Sequence, residues 1–228
     1  MLARKYVSYY PSQFRLKSEL NSKYVNASCV YPSSDFGTAT GALTIFDEAS
    51  DGQIYHGLKT DFILTQAPID STVSDFWELV WENKVGSIIM LTEISIIDVG
   101  NFCKRYWPDQ SRAYTYELGE NETLQVALVK ENQILPDVFL TRHKLSRSNS
   151  VDVQFVDHYY YTSWKDKHEP DLSSLNQFIE KLSSLRSDSP RIIHCLAGVG
   201  RTGTLMVCLY IRQILEAGGS HIDIFGLI

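Results

Sequence analysis

The sequence predicts an α/β fold in which helices flank a mixed β-sheet. Its first half holds short runs rich in Val, Ile, Thr and aromatic residues, each bounded by turn-forming residues. Its middle alternates apolar and polar residues, and its last third holds two stretches with apolar residues at helical spacing. Because strands and helices are mixed without strict alternation, we expect a mixed sheet rather than a purely parallel one.

The first half predicts three strands and one helix. The strand-like runs are "KYVNASCVY", "DFILTQAP" and "VGSIIMLT". Between the last two lies "STVSDFWELVWEN", in which Phe76, Trp77, Val80 and Trp81 recur at the spacing of one helix face. Ser74 precedes these residues and is a plausible N-cap. We therefore interpret the aromatic residues as core.

The second half predicts antiparallel strands followed by a helix, a strand and a second helix. The alternating stretch covers residues 114–164 and is typical of hairpins. "RIIHC" predicts a short buried strand between helices in "DLSSLNQFIEKLSSLRS" and "TGTLMVCLYIRQILEAGG", with Gly218 as the last C-cap. The expected apolar faces are Leu172, Leu175, Phe178, Ile179 and Leu182 on the first helix, and Leu205, Cys208, Ile211 and Leu215 on the second.

Composition and charge exclude several classes of protein. A formal net charge of −6 argues against a general nucleic-acid binder. The N-terminal residues have no continuous apolar core for a signal peptide, and the longest apolar run, near residues 88–91, is too short to span a membrane. Cys29, Cys103, Cys195 and Cys208 lie far apart, which argues against a zinc site or disulfide framework and predicts a cytoplasmic protein.

The stretch "HCLAGVGRTG" joins the last predicted strand to a helix expected to begin near Arg201 or Thr202. The residues between the cysteine and the arginine are small or apolar: Leu196, Ala197, Gly198, Val199 and Gly200. Such a loop can direct successive backbone N–H groups inward, and the helix N-terminus adds positive partial charge. The loop is therefore predicted to bind a phosphate group.

The same loop carries the groups needed to break a phosphate ester. The inward amides and the Arg201 guanidinium favour the thiolate of Cys195, which is the nucleophilic form. Arg201 can bind two phosphoryl oxygens with paired donors, and the Thr202 hydroxyl can donate to the sulfur when it leaves. The glycines also fit the dinucleotide fingerprint GxGxxG, but that pattern is weak without its βαβ context.

At these residues the sequence resembles the signature HCxxGxxR[ST]G of the cysteine-dependent protein tyrosine phosphatases. "KYVNAS", "FILTQAP", "DFWELVWENKVGSIIMLT" and "RYWP" resemble further blocks of that family, in the same order. The resemblance implies a twisted mixed sheet flanked by helices. It also implies one catalytic domain over residues 1–228, shortened at both ends and lacking the C-terminal Q-loop segment. It implies phosphotyrosine-containing proteins as partners and no metal or other cofactor.

The resemblance also assigns roles to individual residues. Cys195 would be the nucleophile and Arg201 the phosphate clamp. His194 would lie behind the thiolate and help to tune it, which is compatible with its being a hydrogen-bonded core histidine. Asp166, in "TSWKD", would be the general acid that protonates the leaving tyrosyl oxygen. Tyr6 would pack against the substrate ring, which favours phosphotyrosine over phosphoserine or a phosphoinositide.

The sequence departs from the family pattern in the loop that carries Asp166. Lys165 and His168 stand where the family has proline and glycine, and Ser8 stands where many members have aspartate. Asp98 lies where the family has a glutamate that orients the arginine, in a register that is one residue out of step. The changes at Lys165 and His168 alter the rigidity and hinges of the loop and predict a slow enzyme, whereas Ser8 predicts weaker binding of the substrate peptide. These departures leave a second hypothesis open, a pseudophosphatase that binds phosphotyrosine proteins without useful turnover.

Overall fold

The computed structural model describes residues 14–15, 24–25, 27–30, 62–94, 103–110, 112–119, 121–185 and 189–219. Its strands, in chain order, are β1 (Phe14–Arg15), β2 (Tyr24–Val25), β3 (Ala27–Val30), β4 (Phe62–Gln66), β5 (Ser87–Met90), β6 (Tyr114–Gly119), β7 (Glu122–Leu135), β8 (Val138–Arg147), β9 (Val153–Tyr161) and β10 (Arg191–Cys195). Its helices are α1 (Val73–Glu82), α2 (Leu172–Ser183) and α3 (Gly200–Glu216).

Within the described residues, eight strands form one mixed sheet in the order β3-β4-β10-β5-β9-β8-β7-β6. The parallel part of the sheet consists of β4, β10, β5 and β9. The antiparallel part consists of β6, β7, β8 and β9, which pair in the order in which they follow one another in the sequence. The mixed sheet and the antiparallel middle segment are therefore confirmed. The parallel strands bring their carboxyl ends to one edge of the sheet, where ligands bind in open α/β sheets.

Helices cover the two faces of the sheet separately. α1 packs Phe76, Trp77 and Val80 on one face, while α2 and α3 pack on the other. Because successive strand residues point to opposite faces, Ile192 contacts the α1 side and Ile193 the α2–α3 side. β10 is completely buried, as expected for a central parallel strand.

The first helix begins at a different residue from the one expected. Its cap position is Thr72, and Ser74 lies inside the helix, so the assignment of Ser74 as N-cap was wrong. Thr72 makes no side-chain bond to the helix amides, because its hydroxyl oxygen accepts instead from the amide of Ile69 at 3.0 Å. The turn before the helix therefore uses the side chain that a capping motif would use.

The buried face of α2 matches the expectation with one exception. Leu175, Phe178, Ile179 and Leu182 are buried, but Leu172 is 77% exposed because it follows directly after the N-cap. That N-cap is Asp171, whose Oδ1 accepts from the Ser174 amide at 2.7 Å.

The buried face of α3 differs more. Leu205 is buried as expected, but Cys208 and Ile211 are only half-buried and Leu215 is 53% exposed. The buried face is Leu205, Met206, Leu209, Tyr210 and Ile214 instead. Gly218 follows the cap residue Ala217 with a φ of +88°, which is the backbone conformation expected of a C-terminal glycine.

A buried ion pair links α1 to the antiparallel strands. Glu78 is fully buried and lies 3.7 Å from the Arg147 guanidinium of β8. Arg147 also donates from Nη2 to Glu122 at 2.8 Å. Because a buried carboxylate is costly without a cation, this contact matters for stability. In the part of the chain described, no helix is long and apolar enough to cross a membrane.

Candidate active site

The loop between β10 and α3 is held from both sides by neighbouring strands. The Leu91 amide donates to the His194 carbonyl at 2.9 Å, and the Ala67 amide donates to the Leu196 carbonyl at 3.0 Å. α3 begins at Gly200, one residue before the expected start. Cys195 therefore ends a fixed strand, and its loop turns directly into the positive end of a helix.

Gly198 is required by the close approach of β4. Its φ is +75°, and a Cβ placed there would lie 2.5 Å from the Thr65 carbonyl carbon and 2.7 Å from the Gln66 amide nitrogen. Both contacts are to backbone atoms, which cannot move aside cheaply. The packing against β4 is thus one reason for glycine at this position. The expected approach of the loop backbone to a phosphate group is a second reason.

The Cys195 thiol lies in a buried site that favours its anion. Only 4% of the residue is exposed, and burial alone would raise the pKa of the thiol. The Thr202 hydroxyl, the amides of Thr202 and Gly198, and the Arg201 charge together outweigh burial and hold the pKa below the ordinary 9.0. The thiolate is therefore favoured.

The Thr202 side chain points into the same site. Its hydroxyl is buried, and it makes no hydrogen bond of standard geometry to another described residue. Its effect on the pKa of Cys195 is thus that of a nearby dipole, and ionisation of the sulfur would supply the acceptor that the hydroxyl lacks.

Arg201 connects α3 to the loop that follows β9. Its side chain is 8% exposed, and its Nη1 donates to the Trp164 carbonyl at 2.9 Å. Its Nη2 donates to Asp166 Oδ1 at 3.0 Å, and the Asp166 side chain is 54% exposed. The structure thus brings Asp166 to the same guanidinium that the sequence predicts as a phosphate clamp.

The loop with Asp166 forms a tight turn over residues 164–168. Trp164 is buried and donates from Nε1 to the His168 carbonyl at 3.0 Å. His168 in turn donates from Nδ1 to the Asp166 carbonyl at 2.7 Å. Lys167 has a φ of +57°, in the left-handed region that favours glycine. The left-handed residue thus lies one position before His168, and the His168 ring closes the turn through its bond to the Asp166 carbonyl.

His194 is fully buried on the opposite face of β10 from the Cys195 side chain. Its Nε2 lies 2.6 Å from the Tyr106 hydroxyl, and its Nδ1 lies 3.2 Å from the Cys195 carbonyl oxygen. Burial, together with the Arg201 charge, lowers the pKa of His194 to about 4, although the bond to the Cys195 carbonyl opposes this. His194 is therefore a neutral core histidine that also contacts the backbone of Cys195.

The structure brings together most of the residues that the sequence singled out. Cys195, Arg201, Thr202 and Asp166 lie around one loop, and His194 lies behind it. Of the loop residues, Leu196 and Gly198 are half-buried, whereas Ala197, Val199 and Gly200 are exposed. Tyr6, Ser8 and Asp98 lie outside the described residues.

Sequence reasoning missed Tyr106 as a member of the site. Its hydroxyl contacts His194, and it is almost completely buried among aromatic side chains. The block "RYWP" was the available signal, since it holds a tyrosine at a place where the family resemblance continues. Among the residues that the structure describes, no group of His, Cys, Asp or Glu could hold a metal ion.

A thiol of lowered pKa, at the junction of a buried parallel strand and a helix N-terminus and next to an arginine, can attack an oxyanion such as a phosphate ester. This strand–loop–helix unit, in a mixed sheet flanked by helices, defines the class of cysteine-dependent phosphatases. The model of the family described as "Protein-tyrosine phosphatase" matches residues 4–228. The chain belongs to the protein-tyrosine phosphatase family.

Comparison with known proteins agrees with this membership. Receptor-type tyrosine-protein phosphatase eta of Gallus gallus is 32% identical over 75% of this chain and 12% of its own length. Tyrosine-protein phosphatase non-receptor type 5 of Homo sapiens is 33% identical over 70% of this chain and 28% of its own length. The chain thus spans less than a third of the length of these relatives.

Solved structures of the family have the same fold. The catalytic domain of human protein tyrosine phosphatase non-receptor type 18 is 26% identical, with a TM-score of 0.70 over 94% of this chain and 68% of that one. PTPN18 in complex with HER2 phosphopeptides is 26% identical, with a TM-score of 0.68 over 94% of this chain and 66% of that one.

Proposed function

We propose that this chain is one catalytic domain that hydrolyses phosphotyrosine on proteins through a cysteinyl-phosphate intermediate. The observation that carries the proposal is the Cys195 thiol, whose pKa is lowered by the amides of Gly198 and Thr202 and by Arg201. Family membership supports the reaction class. A thiol of this kind needs a reducing compartment, which is consistent with the cytoplasm.

In the first step, the Cys195 thiolate attacks phosphorus and the bond from phosphorus to the tyrosyl oxygen breaks. The loop amides and Arg201 stabilise the negative charge on the phosphoryl oxygens. Asp166 donates a proton to the leaving oxygen, which is a poor leaving group otherwise. The 3.0 Å contact between Asp166 and Arg201 supports this role, because it brings the carboxyl group close to the arginine proposed to bind the phosphoryl group.

In the second step, water attacks phosphorus and the bond from sulfur to phosphorus breaks. Asp166, now a carboxylate, accepts a proton from that water, since a group that acts as acid in one step acts as base in the next. The buried hydroxyl of Thr202 donates to the departing sulfur, which supports its release as a thiolate.

Substrate binding changes the partners of Arg201. Nη2 is held by a carboxylate that is half exposed, and such an ion pair contributes little. A phosphoryl dianion binds the guanidinium with two parallel hydrogen bonds and carries more charge. We therefore expect the phosphoryl group to take the Nη2 donor from Asp166, while the bond from Nη1 to the Trp164 carbonyl keeps the turn in place.

The proposal is tested by measuring phosphate release from an aryl phosphate and from a phosphotyrosyl peptide. Cys195→Ser should abolish both reactions. Asp166→Ala should slow peptide hydrolysis by about 10²–10⁴-fold and affect an aryl phosphate with a good leaving group much less. Cys208→Ser makes the same chemical change on α3 and should leave both rates unchanged. Full activity in Cys195→Ser would refute the mechanism.

The second candidate function is a binding module that captures phosphotyrosine without useful turnover. The observation that favours it is the 164–168 turn, where Lys165 and His168 replace the family's proline and glycine. The two functions differ in one measurement. A wild-type chain that binds the phosphopeptide, and releases no phosphate from either substrate, is a binding module.

A further inference from the structure

A chain of buried hydrogen bonds extends from the Cys195 backbone into the core on the α1 side of the sheet. His194 Nε2 lies 2.6 Å from the Tyr106 hydroxyl. The same hydroxyl lies 2.8 Å from His158 Nε2. His194 and His158 are fully buried and Tyr106 almost so, and buried polar groups of this kind need hydrogen-bond partners.

The chain continues to the neighbouring strand. His158 Nδ1 lies 3.5 Å from Thr141 Oγ1, and that oxygen lies 2.8 Å from His143 Nε2. Thr141 and His143 are two residues apart on β8, so both side chains point to the same face, and both are buried. Polar side chains therefore occupy two inward positions that an ordinary strand would fill with apolar residues.

The three histidines of this hydrogen-bond chain, His143, His158 and His194, are neutral at pH 7. Burial lowers the pKa of His143 to about 4 and that of His158 well below its ordinary value, and the Arg105 charge adds to both effects. The pKa of His194 is lowered to about 4 for the reasons given above. A neutral imidazole has one N–H donor and one acceptor nitrogen, so each ring can donate in only one direction.

The carbonyl of Cys195 fixes the direction at its end of the chain. A carbonyl oxygen only accepts, so His194 Nδ1, at 3.2 Å, carries the hydrogen. His194 Nε2 is then the acceptor, and the Tyr106 hydroxyl donates to it. Because that hydroxyl has a single hydrogen, its oxygen must accept from His158 Nε2–H.

The same reasoning extends to the far end. His158 Nδ1 is left as an acceptor, and the Thr141 hydroxyl is the donor that reaches it. The Thr141 oxygen then accepts from His143 Nε2–H. His143 Nδ1 is left as a lone pair, and it has no hydrogen-bond partner among the described residues. Every N–H and O–H in this hydrogen-bond chain, from His143 to His194, thus donates in the direction of the Cys195 carbonyl.

We propose that Thr141 and His143 are positioning residues that fix the direction of this chain and, through His158, Tyr106 and His194, hold the carbonyl of Cys195. His143 donates to the Thr141 oxygen, which directs the Thr141 hydrogen to His158. Hydrogen bonds that point the same way polarise and strengthen one another. Thr141 and His143 therefore strengthen the last hydrogen bond, which runs from His194 Nδ1 to the Cys195 carbonyl at the end of β10.

The arrangement of hydrogens is tested directly by ¹⁵N NMR of the histidine rings at neutral pH. We expect the Nδ1–H form at His194 and the Nε2–H form at His158 and His143. A charged ring, or the opposite form at any of the three, would overturn the proposal. This measurement needs no enzymatic activity, so it stands or falls separately from the proposed function.

The consequence for catalysis rests on the proposed function and is tested at Thr141. Thr141→Val keeps the shape of the side chain and removes the hydroxyl. We expect it to change the ¹⁵N shifts of His194, to raise the pKa of Cys195 measured by alkylation by a few tenths of a unit, and to lower kcat about two- to threefold with little change in KM. Thr141→Ser restores the hydroxyl and should restore all three.

A second variant keeps the proposal testable if Thr141→Val fails to fold. His143→Leu removes only the outermost donor, and we expect the same changes at smaller size. A folded Thr141→Val or His143→Leu protein with the wild-type His194 shifts, alkylation profile and kcat would overturn the positioning role, because it would show these residues act on stability alone.

Discussion

Replacing Gly198 with alanine should both destabilise the fold and disable the loop. An L-residue in the left-handed region costs about 1–2 kcal/mol, and the φ at this position is +75°. The added Cβ would also lie 2.5–2.7 Å from the backbone of Thr65 and Gln66, closer than packing allows. Overpacking of this kind costs about 1–3 kcal/mol. Together these terms predict a loss of about 2–5 kcal/mol in the free energy of unfolding.

The loss is measured by urea denaturation, with aryl phosphate hydrolysis as the second assay. Gly203→Ala is the matched control, because its Cβ would have no neighbour within 4 Å and the residue lies inside α3. Alanine is the better helix former, so this variant should gain up to about 1 kcal/mol. Hydrolysis should fall in Gly198→Ala even at temperatures where it is folded, since its amide contributes to the low pKa of Cys195. Equal unfolding midpoints for the two variants would refute the reasoning.

Three further predictions concern the thiol and the core. The pKa of the Cys195 thiol is lowered and that of Cys208 is raised, so iodoacetamide near neutral pH should modify Cys195 first. Mass spectrometry of peptides measures the two labelling rates, and faster labelling of Cys208 would contradict the prediction. Thr202→Ala should raise the pKa of Cys195 and slow phosphate release about tenfold, and Thr202→Ser should recover both in pre-steady-state kinetics. Arg147→Met should lower the free energy of unfolding by about 3–5 kcal/mol in urea, because it removes the Arg147 cation beside the buried Glu78 carboxylate, and adding Glu78→Gln should recover part of this loss.

The sequence predicted the elements that local chemistry determines. "RIIHC" is a short apolar run, and a run of that kind is buried on both sides in a parallel sheet. The spacing of Phe76, Trp77, Val80 and Trp81 allows one helix face, and that face is buried. The place of the loop from Cys195 to Arg201, between β10 and α3, was predictable because small residues and glycines follow an apolar run and precede a helical pattern.

The face of α3 could not be predicted in the same way. The helix is apolar on more than one side, so its periodicity allows several faces. Packing between α2 and the sheet selects Met206, Leu209 and Tyr210. Thr72 displaced Ser74 as the cap residue because a preceding turn decides where the helix begins. A one-dimensional pattern carries no information about such tertiary contacts.

The buried polar chain was not predictable for a related reason. Thr141 and His143 break the apolar alternation of β8, which in a sequence indicates an exposed strand. Thr141 contacts His158 on β9, and His158 contacts Tyr106, which lies before β6 and 52 residues earlier in the sequence. Only the register of the paired strands brings these groups together.

The bond from Arg201 to the Trp164 carbonyl gives one side chain two duties. A guanidinium has enough N–H donors to bind an oxyanion and, with another N–H, the carbonyl that holds the 164–168 turn against α3. The ammonium group of a lysine lacks this planar arrangement of donors. Under the proposed function, every substitution of Arg201 therefore perturbs both the anchoring of the turn and the binding of the anion. The kinetic penalty of such a variant is therefore an upper limit on what the phosphoryl contacts alone contribute, and a double-mutant cycle with Asp166→Ala measures the part of it that comes from the contact between Arg201 and Asp166.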